Sequence, residues 1–347
     1  MWMAVFWPEG RANSGTDANE RDVSATTDFA GRWMKTLTEW PDLSGFELRP
    51  TVETLHLWSQ IVGKIRLMMT PWINHGWHVP LYVSTSGLTT GLIPAGRNGF
   101  SLEFDLVGDE LAIRDTDGKY GRVPLRRQSV ADFFAATMGT LGALGIEVQL
   151  DPMPCEIADA VRFHDDHVER TYDGEVARAY WRALVQTQRV LHVFRSRFVG
   201  KCSPIHLFWG SFDLAVTRFS GRTAPRHPGG AVHMPDAVAR EAYSHEVSSA
   251  GLWPGGGRVE SPSFYSYAYP APAGFSDASI RLQAARYDAE LGEFLLPYDA
   301  VSSSSDPDSD LLSFLQSTYE AAADLAHWDR QSLEGPTGPV GRPPAGV

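Results

Sequence analysis

Residues Leu111–Leu125 read LAIRDTDGKYGRVPL and predict a β-hairpin. The dipeptide Asp117-Gly118 lies between two apolar segments and is a strong signal for a tight turn that joins antiparallel strands. Upstream, HVPLYVS (78–84) and FSLEFDL (100–106) alternate partly between apolar and polar residues, as half-buried strands do. Because the connections between these strands are short, we expect the sheet to be mostly antiparallel.

Helices and further strands follow the hairpin. Ser129 is an N-cap type residue before apolar residues at helical spacing, Gly145 is a helix stop, and IEVQL (146–150) is predicted as a strand. A long helix is predicted for GEVARAYWRALVQTQRVLHVFRSRF (174–198). Four more strands and a helix from Asp310 to about Leu333 complete the chain; the strands are IHLFWGSFDLAVTRF (205–219), YSHEVSS (243–249), SFYSYAYP (263–270) and GEFLLPY (292–298).

The two parts of the chain resemble each other in sequence. VSTSGLTTG (83–91) matches VSSAGLWPG (247–255), and LHLWSQIVGKIRL (55–67) resembles the strand at 205–219. We therefore predict an internal duplication, with the paired segments as equivalent corners and with Gly87 and Gly251 in a conformation barred to other residues. Convergence of similar strands and helices is the alternative. The predicted fold is α+β, with mostly antiparallel sheets, packed helices and two similar halves in a pseudo-two-fold arrangement.

The predicted organisation has five segments: a flexible N-terminal arm (1–26), a first half (27–155), a connecting helical segment (156–200), a second half (201–334) and a disordered tail (335–347). The apolar start is too short and lacks the basic flank of a signal peptide. No apolar run approaches the ~20 residues of a membrane span.

Composition narrows the class of partner. A net charge of -12 argues against nucleic acid, and 11 Trp with 17 Phe favour an aromatic core or an aromatic-lined pocket. Two cysteines provide neither a disulfide framework nor zinc spacing, so a reducing, cytoplasmic location is expected. No phosphate-binding, dinucleotide or nucleophile-elbow pattern occurs, and no cofactor is predicted.

Several long strings resemble one family. LHLWSQIVGKIRL, HLFWGSFDLAVTRFSGR and EAYSHEVSSAGLWPG are similar to bacterial proteins that share a domain of unknown function, and the resemblance extends from about Trp40 to Leu333. It implies a single-family protein but brings no catalytic residues. Gly76 replaces a bulky aromatic residue expected from the family pattern, which either opens a pocket or loosens a turn.

Polar residues inside apolar strands are the candidate site. His206, Asp213 and Arg218 lie in one predicted strand, where Asp213 opposes the other two unless Gly210 forms a bulge. Burying such a group without a partner costs on the order of several kcal/mol. We therefore predict that at least two of these three residues share a cavity with His245 or His78. The alternative is a purely structural pairing.

The candidate roles follow from side-chain chemistry. Proton transfer is predicted for His206, Asp213 and His245, and substrate binding for Arg218, Lys64, His75, His78, Trp77, Trp209 and Glu246. Arg218 or Lys64 would hold an anionic group. His75 and His78 in one turn could bind a metal with a third ligand, but no established metal spacing is present and no metal is predicted.

The favoured function is a cofactor-independent enzyme of small-molecule metabolism. Acid–base chemistry in an aromatic cleft would support elimination, cyclisation, isomerisation or hydrolysis, as in a lyase, cyclase, isomerase or hydrolase. One alternative is a mononuclear metal-dependent enzyme with His ligands, and another is a non-catalytic protein that binds a hydrophobic ligand. The expected partner is a small-molecule substrate, without nucleic acid or membrane.

Overall fold

The computed structural model describes residues 40–257 and 259–336, which contain seven helices and two six-stranded antiparallel sheets. The helices are α1 (Leu48–Met69), α2 (Val130–Ala143), α3 (Gly174–Ser196), α4 (Asp236–Ala242), α5 (Tyr298–Ser302), α6 (Pro307–Leu325) and α7 (Arg330–Leu333). Short 3₁₀ turns lie at Asn74–Gly76 and Phe275–Asp277. The predicted N-terminal arm and residues 337–347 of the predicted tail lie outside the described residues.

The strands of the first sheet are β1 (Tyr82–Val83), β2 (Gly87–Thr89), β3 (Ile93–Ala95), β4 (Asn98–Asp105), β5 (Glu110–Asp115) and β6 (Tyr120–Pro124). Their order is β1-β2-β4-β5-β6, and β3 also pairs with β4. A separate two-stranded ladder joins β7 (Gln128–Ser129) to β8 (Glu169–Arg170). The second sheet, in the order β13-β14-β12-β11-β10-β9, contains β9 (His206–Phe208), β10 (Asp213–Thr223), β11 (His245–Trp253), β12 (Ser263–Tyr269), β13 (Arg286–Asp288) and β14 (Glu293–Pro297).

The local signals for turns and caps are confirmed. β5 and β6 form the predicted hairpin, in which Gly118 has φ 83° and the Asp115 carboxylate accepts the N–H groups of Asp117 and Lys119. The Ser129 hydroxyl oxygen accepts the Asp132 N–H at 3.0 Å and starts α2. The long helix is present as α3, and the α+β class with antiparallel sheets is confirmed.

Three predicted elements differ from the structure. Residues 205–219 form the antiparallel pair β9–β10, because a turn with Phe212 at φ 58° reverses the chain and places Asp213 opposite Phe208. Residues 146–150 form no strand; their apolar side chains pack against the core, but no neighbouring strand pairs with them. The last predicted helix ends at Leu325, and α7 follows as a separate turn.

The predicted equivalence of the repeated segments is wrong. Residues 55–67 lie inside α1, whereas residues 205–219 form a hairpin. Residues 83–91 include a turn between β1 and β2, whereas residues 247–253 are continuous strand within β11. The glycines do share one property: a Cβ on Gly87 or on Gly251 would lie 1.9 Å from a backbone oxygen of the adjacent strand.

The helices cover one face of the second sheet. α3 contacts β10 and β11, and α6 contacts β11 and β12, within one hydrophobic core that also includes α1 and the first sheet. The two sheets meet where Leu81 and Leu207 exchange backbone hydrogen bonds of 2.9 and 2.8 Å. Among the described helices, none has the length and apolar character needed to cross a bilayer.

We predict that Gly251→Ala destabilises the protein by ~1–3 kcal/mol, because the new methyl group overlaps the Leu214 carbonyl and forces β10 and β11 apart. Urea unfolding monitored by tryptophan fluorescence measures the change. Gly139→Ala is the control, since Gly139 lies on the exposed side of α2 with no atom within 4 Å of the added Cβ. Equal stability of the two variants would contradict the close approach at Gly251.

Candidate functional site

A cavity of about 670 Å³ lies over the face of the second sheet that the large helices leave uncovered. The floor consists of alternate residues on four strands: Asp213, Ala215, Thr217 and Phe219 on β10, Val247, Ser249 and Trp253 on β11, Tyr265 and Tyr267 on β12, and Glu293 on β14. Strand alternation and register place these side chains on one face. The volume is typical of a small-molecule site.

The walls of the cavity come from irregular segments. They include residues between Trp72 and Val79 and the loops around Cys155, Gly210 and Met234, and the short helix α4 completes them. One side of helix α1 faces these loops, and residues that are one or two turns apart along the helix lie together on that side. On it, His56 Nε2 lies 2.8 Å from the Gly210 carbonyl oxygen, and the Gln60 amide pairs with the backbone N–H and C=O of Cys155.

Close packing on α1 also fixes an aromatic wall. A Cβ on Gly63 would lie 2.1 Å from Nε1 of Trp209, so only glycine permits this contact. The same indole nitrogen donates a hydrogen bond to the Val79 carbonyl oxygen at 3.0 Å. Trp209 therefore joins α1, the 72–79 segment and the β9–β10 turn at the cavity.

Asp213 is the central polar group on the floor. The Tyr265 hydroxyl donates a hydrogen bond to its Oδ2 atom, and among the described residues no other side chain donates to this carboxylate. Burial and the nearby negative charge of Glu156 raise the pKa of Asp213 to about 6, despite the opposing effect of the Tyr265 bond. Burial also holds the pKa of Tyr265 well above its usual range, so the phenol stays protonated as the donor.

Two further pairs of hydroxyl groups extend this polar floor. The Tyr243 and Tyr267 hydroxyls are 2.8 Å apart, and those of Thr217 and Ser249 are 2.9 Å apart. The rings of Tyr265 and Tyr267 stack with centroids 6.1 Å apart. The floor is thus a row of aromatic faces with hydroxyl donors and acceptors beside Asp213.

Two other carboxylates lie near Asp213. Glu156 is exposed at the edge of the cavity and accepts a 2.6 Å hydrogen bond from Ser211. Glu293 is half-buried, and burial followed by repulsion from Asp213 and Asp288 raises its pKa to about 7. Neither Glu156 nor Glu293 forms an ion pair within the described part of the chain, so no basic side chain balances the acidic groups at this end of the cavity.

His75 has both ring nitrogens occupied. Nδ1 lies 3.0 Å from the Ala242 carbonyl oxygen, which requires a proton there, and Nε2 accepts a hydrogen bond from Lys201. The backbone N–H of His75 donates to the Glu241 carboxylate. These contacts tie the 72–79 segment to the end of α4, and burial lowers the pKa of His75. The ring is a structural part of the wall.

His78 has one ring nitrogen, Nε2, without a hydrogen-bond partner among the described residues. Its Nδ1 accepts the Ile73 N–H at 3.2 Å, so the proton of the neutral ring lies on Nε2. Burial lowers the pKa of His78, and its ring lies against Trp72 with centroids 4.6 Å apart. A neutral His78 can offer a hydrogen bond to a ligand.

Backbone strain is concentrated around the cavity. Seven residues other than glycine have positive φ in the described part of the chain, and three of them, His75, Glu156 and His233, line the cavity. Such conformations cost of the order of 1–3 kcal/mol each and tend to persist at functional sites. Gly76 at φ 67° also lines the cavity.

Arg218 does not reach the cavity. It lies on the opposite face of β10, fully buried, with its guanidinium carbon 3.5 Å from the ring centre of Phe194 and 4.2 Å from that of Tyr319. Its Nη2 donates to the Phe194 carbonyl oxygen. Arg218 therefore belongs to the contact between the sheet and the helices.

The two predicted catalytic histidines, His206 and His245, and the predicted substrate-binding residue Glu246 also lie outside the cavity lining. His206 is fully buried, its Nδ1 lies 2.6 Å from the Pro204 carbonyl oxygen, and burial lowers its pKa to about 4. His245 pairs with Thr223 at the end of β11 and bonds to Ser244, while Glu246 forms an ion pair with Arg222. Since His206 and Arg218 both miss the cavity, the prediction that two of the three strand residues share it is wrong.

The structure does bring six predicted residues together around one cavity: Asp213, Lys64, His75, His78, Trp77 and Trp209. Sequence reasoning missed Tyr243, Tyr265, Tyr267, Glu156 and Glu293. The alternation of Tyr265, Tyr267 and Tyr269 in SFYSYAYP was the available signal, because it predicts three phenols on one strand face. No local signal connects Glu156 to Asp213.

The alternative hypothesis of a mononuclear metal-dependent enzyme requires a set of metal ligands. Within residues 40–257 and 259–336, no group of three or more His, Cys, Asp or Glu side chains is arranged to hold a metal ion. His75, one of the two histidines proposed for such a site, already uses both nitrogens.

Residues 40–335 match the model of a family of unknown function, DUF5996, and the chain belongs to that family. No curated protein and no solved structure matches the chain. The family resemblance seen in the sequence is thereby confirmed.

We predict that Glu293→Gln stabilises the protein at pH 8 by ~1–2 kcal/mol and has little effect at pH 4. The folded protein holds the Glu293 proton up to about pH 7, above the ordinary value of 4.5, so its stability falls as pH rises between these values. Each pKa unit corresponds to about 1.4 kcal/mol, and partial solvent access reduces the total.

Urea unfolding at the two pH values measures this effect. Glu147→Gln is the matched control, because Glu147 is exposed and is not among the residues that line the cavity. The same change in stability at pH 4 and pH 8 for Glu293→Gln would contradict the buried, charge-repelled state of this carboxyl.

Proposed function

We propose that this protein is a small-molecule enzyme in which Asp213 transfers a proton inside the aromatic cavity. The observation that carries the proposal is the position of Asp213: its carboxyl lies on the cavity floor, is oriented by Tyr265 and has a pKa of about 6. A group that titrates near the working pH is best suited to act as a general base or acid.

The proposed division of roles follows from the contacts. Asp213 takes up or releases the proton, and Tyr265 fixes the carboxylate oxygen that it contacts. His78 and the Tyr243–Tyr267 pair would position polar groups of the substrate, and Trp77 and Trp209 would contact its apolar part. These residues support elimination, cyclisation, isomerisation or hydrolysis without a dedicated cofactor.

A non-catalytic carrier is the second candidate. Nine aromatic side chains line the cavity, namely Trp72, Trp77, Trp209, Trp253, Phe208, Phe219, Tyr243, Tyr265 and Tyr267. Such a lining retains a hydrophobic ligand without any reaction. The two candidates differ in one respect, since only the enzyme consumes its ligand.

We predict that Asp213→Asn lowers turnover by ~10²–10⁴-fold, the usual contribution of a positioned acid–base group. The purified chain is incubated with a metabolite extract, and mass spectrometry identifies the compounds that it consumes. Asp159→Asn, an exposed change outside the cavity, is the control. If Asp213→Asn consumes a compound as fast as the unmodified protein does, Asp213 is not the catalytic residue. If the unmodified protein binds a compound without consuming it, the result supports the carrier.

The pH profile separates catalysis from structure. As a base, Asp213 must be ionised, so the rate should fall as pH decreases through about 6. Glu156→Gln removes a negative neighbour of Asp213 and should move this decline to lower pH, whereas a merely structural Glu156 would leave it unchanged. Because Glu293 and Tyr265 also face Asp213, the midpoint of the pH–rate profile is a property of these interacting groups together and not of Asp213 alone.

A further inference from the structure

We infer that the ligand of this cavity is an organic cation, a protonated or quaternary amine held between aromatic rings beside Asp213 and Glu293. The inference rests on the proposed function only in placing the ligand in the same cavity. It adds the chemical class of the ligand and replaces the anionic group expected from the sequence, because Arg218 does not reach the cavity and Lys64 lies beside Asp151.

The balance of charge around the cavity is the first argument. Four carboxyl groups line it, those of Asp151, Glu156, Asp213 and Glu293, against one lysine in the lining and a second, Lys201, that contacts the wall residue His75. The lysine in the lining, Lys64, lies 4.0 Å from Asp151 and so offsets a single carboxylate. The remaining three acids have no basic partner among the described residues, and the lining histidines are His75, His78 and His233.

The placement of those acids is the second argument. Asp213 and Glu293 are half-buried on the sheet, close enough that the charge of Asp213 raises the pKa of Glu293, and Glu156 acts on Asp213 in the same way. Carboxylates that are this close repel each other, so ionising them together costs free energy. A positive charge placed between them removes this repulsion, while an anionic ligand would add to it.

The aromatic lining is the third and independent argument. Trp and Tyr faces attract cations through their ring quadrupole, and several rings around one site form the cages that bind quaternary ammonium groups. Tyr265 and Tyr267 present stacked rings on the floor, and Trp253 lies on the same sheet face. Trp77 and Trp209 line the walls. The same cavity thus combines ring faces with carboxylates, and both select positive charge.

The test compares ligands of one shape and different charge. Isothermal titration calorimetry on the full chain uses choline, its neutral isostere with a tert-butyl group in place of trimethylammonium, and the related tert-butyl carboxylate. Choline is expected to bind roughly tenfold more tightly than the neutral alcohol, in line with the strength of a desolvated cation–π contact. The carboxylate should bind most weakly.

Variants then locate the selectivity. The double variant Asp213→Asn/Glu293→Gln should show a smaller preference for choline over the neutral alcohol, because only the aromatic rings still favour the cation, while Asp159→Asn/Glu147→Gln, with the same change of net charge at exposed positions, should keep the full preference. Equal or tighter binding of the neutral alcohol to the unmodified chain overturns the inference. So does tightest binding of the carboxylate, or no saturable binding of choline.

The inference and the proposed function fail separately. Turnover of a neutral or anionic compound that depends on Asp213 would leave the enzyme proposal standing and overturn the cation. Selective binding of choline without consumption of any compound would support the cationic ligand and overturn the enzyme proposal. The cavity would then be the site of a carrier for cations.

Discussion

Among the described residues, the large helices that pack on the second sheet cover one of its faces, and the cavity is a consequence of this arrangement. Strand side chains alternate between faces, so β10, β11 and β12 must bury two sets of residues. Helices α3 and α6 cover one set within the main core. The other set includes Tyr265 and Trp253, which form a second, smaller cluster on the far face. Loops and a short helix cover that cluster incompletely, and the space that remains is the candidate site.

The same alternation separates the charged residues of β10. Arg218 lies at an even position on the helix side, where it forms no ion pair with the described residues and aromatic rings surround its guanidinium. Burial lowers the pKa of Arg218 to about 10, which still leaves it charged at neutral pH. Cation–π contacts of ~2 kcal/mol each offset part of the desolvation cost. Asp213 lies at an odd position, where its charge faces space that a ligand can enter.

Sequence patterns predicted elements wherever the signal was local. The Asp117-Gly118 turn, the Ser129 cap and the long apolar stripe of α3 each depend on neighbours within a few residues. The turn at Trp209–Phe212 was missed because it has Gly210-Ser211 in place of an Asn-Gly or Asp-Gly pair, and a glycine between strand-forming residues is equally typical of a bulge. Once that turn divides the predicted strand, the face shared by its polar residues changes.

The candidate site could be predicted only in part for a related reason. Asp213, His78 and Trp209 stand out as polar or aromatic residues in their own segments, and they do line the cavity. Glu156 and Gln60 act through contacts between residues 55 and 95 positions apart, those with Ser211 and Cys155. Contacts at this separation depend on the assembled fold, and no spacing in the chain encodes them.

The charge of the proposed ligand also determines the direction of the first proton transfer. The protein's own groups, through burial and the charge of Glu156, favour the protonated form of Asp213, which could then serve equally as acid or base near pH 6. A cation bound beside the carboxylate stabilises its ionised form and lowers its pKa. Asp213 would release its proton as the ligand enters and would meet the ligand as a carboxylate. Of the two roles open to it, a cationic substrate therefore favours the acceptor, with Tyr265 holding one oxygen while the other receives the proton.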